Sequence, residues 1–93
     1  MSIGSLTVRI EIPGAQSLKD KRQVVRSLLE IVRRKFNVSA AEVDQLDAWQ
    51  RATLAFVIVS NDGAFNDQVL AKVIDTIEAE PRSLVLGIEQ ETI

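Results

Sequence analysis

Between Leu6 and Thr92 the apolar residues switch from every second position to helical spacing and back, and do so twice. No other property of the chain narrows its fold as much. The first stretch, Leu6-Thr7-Val8-Arg9-Ile10-Glu11-Ile12, alternates without a fault. It predicts a half-buried strand with Leu6, Val8, Ile10 and Ile12 on one face. Pro13-Gly14 ends it, because proline has no N–H for a ladder and glycine accepts turn geometry. Ser17 is a helix N-cap, and Asp20, three residues on, is its capping-box partner beside the positive helix end. Leu18, Val25, Leu28, Leu29, Val32 and Phe36 then recur at helical spacing. They predict a helix from Leu18 to Phe36, closed by Asn37 in the left-handed conformation.

A short strand over Val38 to Asp44 follows, with Ala41 and Val43 toward the core, and Gln45 to Gln50 connects it onward. Ala52 to Ser60 is the strongest strand, with Leu54, Phe56 and Ile58 inward and Arg51, Thr53, Ala55, Val57 and Val59 outward. Ser60-Asn61-Asp62-Gly63 combines turn chemistry with an N-cap. Phe65, Val69, Leu70, Val73, Ile74 and Ile77 mark a second helix that ends before Pro81. A last strand runs from Ser83 to Thr92, with Leu84, Leu86 and Ile88 inward. The order is β-α-β-β-α-β. Right-handed crossovers put both helices on one face of an antiparallel four-stranded sheet of order 4-1-3-2, an α+β ferredoxin-like sandwich. With 93 residues, the chain is expected to be a single domain over 1–93.

Composition removes much chemistry. The chain has no Cys, His or Tyr, so disulfides, thiolates, the usual base near neutral pH and the commonest metal ligand are absent. No apolar run approaches the ~20 residues that span a bilayer, and Met1-Ser2-Ile3-Gly4-Ser5 lacks the basic and apolar regions of a secretory signal. A cytoplasmic chain that meets no membrane is expected. There is no GxxxxGK[ST] loop, and Ser60 has neither a His to activate it nor an adjacent Lys. Acylphosphatases share the expected fold but carry an arginine in the phosphate loop after the first strand; Pro13-Gly14-Ala15-Gln16-Ser17 has none. Asp44 and Asp47 are too few for the six to eight oxygens of a calcium site. The expectation is a non-enzymatic protein without metal or cofactor.

Five segments resemble the bacterial YlxP-like family of uncharacterised proteins. They are Ile12-Pro13-Gly14-Ala15, Ser17-Leu18-Lys19-Asp20-Lys21-Arg22, Phe36 to Asp44, Asp47-Ala48-Trp49-Gln50-Arg51-Ala52-Thr53-Leu54, and Ser60-Asn61-Asp62. The resemblance covers nearly the whole chain. It implies a ferredoxin-like fold and, because the family's gene lies between those for a translation initiation factor and ribosome-binding factor A, a role near the ribosome. It transfers no catalytic residue. The tip residues Gln45, Leu46 and Ala48 are assigned no role.

Charge supplies the first candidate site. Seven basic and two acidic residues lie between Lys19 and Lys35, net +5; the remainder holds four basic and eleven acidic residues, net −7. At about 100° per residue, Lys19, Arg22, Arg26 and Arg33 share roughly a 60° sector beside the apolar stripe. Such a ridge can follow a phosphate backbone without reading bases, so ribosomal RNA, or a ribosome assembly or translation factor, is the expected partner. The alternative is a solvated helix face with Glu30 one helical step from Arg26 and Arg34.

The second candidate is the sheet face away from the helices, with Arg51, Thr53, Ala55, Val57, Val59 and Val85. It lacks the aromatics that a base-stacking RNA module places on its first and third strands. Its small apolar centre suits protein contact, and a self-associating regulatory or structural module, a homodimer through this face without RNA contact, is the alternative function. Trp49 joins this interface if strand parity extends back from Arg51; otherwise its indole caps the core.

Overall fold

The computed structural model describes all residues, Met1–Ile93. Six elements follow in the expected order: β1 (Ser2–Glu11), α1 (Leu18–Lys35), β2 (Ser39–Asp44), β3 (Arg51–Ser60), α2 (Gly63–Glu78) and β4 (Leu84–Thr92). The sheet order is β2-β3-β1-β4, all neighbours antiparallel. This is the expected ferredoxin-like sandwich. No helix is long and apolar enough to cross a membrane.

Local chemistry sets the helix starts. Ser17 Oγ accepts from the Asp20 N–H at 3.1 Å, and the Asp20 carboxylate accepts from the Gln16 N–H at 3.0 Å. Asp62 Oδ1 accepts from the N–H groups of Ala64 and Phe65. Ser17 and Asp62 meet donors the helices cannot satisfy internally, and Asp20 fastens the residue that precedes the Ser17 cap. The exit of α1 differs from expectation. It ends at Lys35, and Phe36 leaves in an extended conformation, so Asn37 is not left-handed; the one non-glycine residue with positive φ is Gln45, at 58°.

A core of seventeen buried apolar residues lies between helices and sheet. Leu6, Val8 and Ile10 oppose Phe56, Leu54 and Ala52 across the β1–β3 ladder, Ile12 and Ile58 extend the core beyond these pairs, and Val24, Val25, Leu28, Leu29, Val32, Leu70, Val73 and Ile77 complete it. Helix α2 crosses β1 closely at Gly4, where a Cβ would stand 3.1 Å from the Leu70 side chain and 3.3 Å from that of Ile58. Buried Asn66 fastens this crossing by donating to the Ser2 carbonyl and accepting from Ser60 Oγ.

Two edge strands depart from simple alternation. In β2, Ala40 and Glu42 rather than Ala41 and Val43 turn toward the helices, because they oppose Phe56 and Leu54 of the core face. In β4 the register shifts opposite Arg9/Ile10, so that Val85 opposes core-facing Ile10 and packs against the core. The extra residue of a bulge reverses parity beyond it. Val85 is therefore removed from the open face, and Leu84, opposite Glu11, is turned outward and exposed. Leu86 is the residue without a partner in the register, while Ile88, opposite Val8, stays on the helix side at the open edge.

Candidate functional site

Helix α1 presents its two polar flanks to solvent, and one of them carries only cations and glutamine from Lys19 to Arg26. Lys19, Arg22, Gln23 and Arg26 line a shallow cleft of about 210 Å³. All four are exposed, and none of the three cations forms an ion pair. The helix spaces them at i, i+3 and i+7, about 4.5 and 6 Å apart along its axis. Arg33 continues this line toward the C-terminus, where its guanidinium donates to the Ala40 carbonyl of edge strand β2. The structure thus gathers Lys19, Arg22 and Arg26 around one cleft and ties the fourth predicted cation to the backbone beside it.

Lys21 behaves differently from the other basic residues of α1. Its side chain is fully buried, at 0% exposure. Its Nζ lies 2.8 Å from Glu42 Oε2 and also donates toward the carbonyls of Gln45, Arg51 and Leu46 at 2.9, 3.2 and 3.3 Å. Four oxygens surround an ammonium with three protons, so its donors are fully used. The net charge of the helix overstates its outward field by this one cation. Gln45, left without a role in the sequence reading, is the most determined residue of the β2–β3 connection. Its carbonyl accepts from Lys21 and from the Ala48 N–H, and its own N–H donates to Asp44 Oδ1. These bonds hold its left-handed backbone, which is uncommon for a residue other than glycine.

The same connection closes over part of the open sheet face. Thr53 is buried, with its Oγ1 3.4 Å from Gln45 Oε1, because the β2 irregularity between Glu42 and Asp44 folds the strand end across it. It is not available as an interface residue. Ala55, Val57 and Val59 do lie on the open face, with Val57 and Val59 42% and 62% exposed. Arg51 pairs with Glu11 across the ladder at 3.3 Å. Trp49 lies in the bend before β3 rather than in the sheet; it is 57% exposed and its indole donates no hydrogen bond, so it does not cap the core. Its neighbour Gln50 holds the β1–α1 loop, donating from Nε2 to the carbonyls of Pro13 and Ala15 at 3.2 and 3.0 Å.

A larger cleft, about 490 Å³, opens between that loop and Pro81-Arg82, over a floor of Ile12, Ala15 and Val24. Its one arginine is engaged. Arg82 donates to Glu80 Oε1 from Nε at 3.1 Å and reaches Ser27 Oγ at 3.3 Å. The hydrogen bonds between Arg82 and Glu80 hold the Glu80 carboxyl below its ordinary range and raise the Arg82 guanidinium above its own.

Comparison with known proteins bears on fold and kinship. Residues 3–90 match the family model described as "Protein of unknown function (DUF503)". The chain is 35% identical over 79 residues to "Uncharacterized protein YlxP" of Bacillus subtilis (strain 168), covering 85% of this chain and 86% of that one. Two solved structures of designed proteins share the fold at low identity. A de novo designed protein with ferredoxin fold, LFR1 1, superposes with a TM-score of 0.62 at 12% identity over 99% of this chain and 85% of its own. The designed protein Foldit4 gives 0.56 at 16% identity over 98% and 96%.

Proposed function

The chain belongs to the DUF503 family of proteins of unknown function, and we propose that it is a non-enzymatic macromolecule-binding protein that contacts RNA phosphates through the basic flank of α1, at the ribosome or during its assembly or in translation. One observation carries the reading: Lys19, Arg22 and Arg26 converge on a cleft with no carboxylate in its lining. The cations ride on a rigid helix, so little order is lost on contact. Each phosphate they neutralise releases counterions, which gives affinity without base readout. The acidic remainder of the surface repels nucleic acid elsewhere and orients the approach through α1. The absence of His, Cys and Tyr is consistent with a protein that binds rather than turns over a substrate.

The test is association with ribosomes and ribosomal RNA as a function of salt, for wild type and for Lys19→Gln/Arg22→Gln/Arg26→Gln/Arg33→Gln. Glutamine keeps helix propensity and most of each stem. Each lost phosphate contact flattens the log–log salt dependence by about 0.7–0.9, so the variant's slope falls by roughly 2 to 4. No salt-dependent binding by wild type, or an unchanged slope in the variant, overturns the proposal.

A further inference from the structure

The open sheet face holds one guanidinium without a carboxylate and, on β4, two carboxylates without a cation; Asp44, opposite Thr53 at the end of β2, is a third. Arg9 stands in the middle of the sheet and forms no ion pair; the three pairs of the chain use Lys21, Arg51 and Arg82. Its guanidinium lies against β4 at Gly87, where a Cβ would stand 2.1 Å from Nη2 and 2.9 Å from Cζ. Only glycine lets the arginine lie flat across that strand. Glu89 opposes Thr7 and Glu91 opposes Ser5, so both share the face of Arg9. Next to this charged half, Ala41, Ala55 and Val57 form an apolar half on the β2–β3 ladder.

We infer that this face binds a second copy of the chain, face to face, with Arg9 of each copy on Glu89 and Glu91 of the other. A two-fold contact is self-complementary, so a face holding both unpaired signs satisfies each of them twice in one association. The apolar half then covers its own equivalent. Four strands about 4.8 Å apart and about 3.4 Å per residue give roughly 500–600 Å² a side. Twice that area stands at the lower end of standard interfaces, as suits a reversible dimer rather than an obligate one. The flank of α1 belongs to the opposite layer and remains free, so this dimer does not depend on the RNA reading.

Sedimentation equilibrium of the full chain from about 10 μM to 1 mM tests it, the range being chosen for a low-end interface. Wild type associates to a dimer. Arg9→Glu and the double variant Glu89→Lys/Glu91→Lys each weaken dimerisation at least tenfold, because like charges then face one another. An equimolar mixture of the two variants restores the dimer, since each supplies the sign the other lacks. Val57→Lys, in the apolar half, also yields monomer while circular dichroism stays that of the folded chain. A wild type that remains monomeric throughout, or reversals that leave the dimer intact, or variants that stay apart when mixed, overturns the inference.

Discussion

Lys19 and Lys21 are two residues apart on one helix and have opposite fates. Lys19 projects into solvent beside Arg22 and Arg26, whereas Lys21 is sealed beneath the β2–β3 connection among Glu42 and three carbonyls. The first region has charge to offer a partner and owes little stability to it. The second has spent its charge on the fold and offers none. Net charge along a helix therefore does not measure what a partner meets; direction relative to the apolar stripe does.

The largest effect that tests this contrast comes from Lys21→Met. It leaves a mostly buried Glu42 without its cation and takes a donor from three backbone carbonyls, of which that of Gln45 keeps the Ala48 N–H. Breaking such a pair from one side costs about 3–5 kcal/mol, to be read from urea unfolding midpoints. Lys21→Met with Glu42→Leu should recover a good part of the loss, since no buried charge is then left unpaired. Recovery of nothing would assign the effect to the carbonyls alone.

Gln50→Ala comes next. It removes the two hydrogen bonds that hold Pro13 and Ala15, at roughly 1 kcal/mol each, and should raise amide exchange in the β1–α1 loop. Lys19→Gln with Arg22→Gln should change stability by less than about 1 kcal/mol, as exposed helix charges contribute only tenths. A loss as large as that of Lys21→Met would erase the distinction between the two regions.

The smallest effect concerns Glu80. The hydrogen bonds from Arg82 depress its folded-state titration, so its contribution to stability is present above the ordinary carboxylate range and is lost as pH falls through the depressed value. Arg82→Leu should return the Glu80 titration, followed by carboxyl NMR shifts, upward toward its ordinary range and flatten this acid limb.

Much of the fold could be read because its signals are local. The Ser17 and Asp62 caps act over two or three residues, and the alternation of β1 matches its buried face throughout. The face of β4 could not be read, because a bulge depends on which strand lies alongside. The basic flank was legible from angular position alone; the engagement of Arg33 with Ala40 was not. Lys21 escaped because its partners lie 21 to 30 residues away. A signal did exist: at about 100° per residue it falls between Val25 and Leu28, in the middle of the apolar stripe.

The bond from Arg33 to the Ala40 carbonyl also bears on how the sheet ends. Strand β2 is an outer strand, and a bare outer strand is a template onto which foreign chains add. A guanidinium seated on one of its carbonyls occupies an acceptor that an incoming strand would need. Arg33 thus covers one acceptor at one border of the molecule. A chain that lost it is expected to keep its core and to present a freer edge, which light scattering against concentration would read as increased self-association.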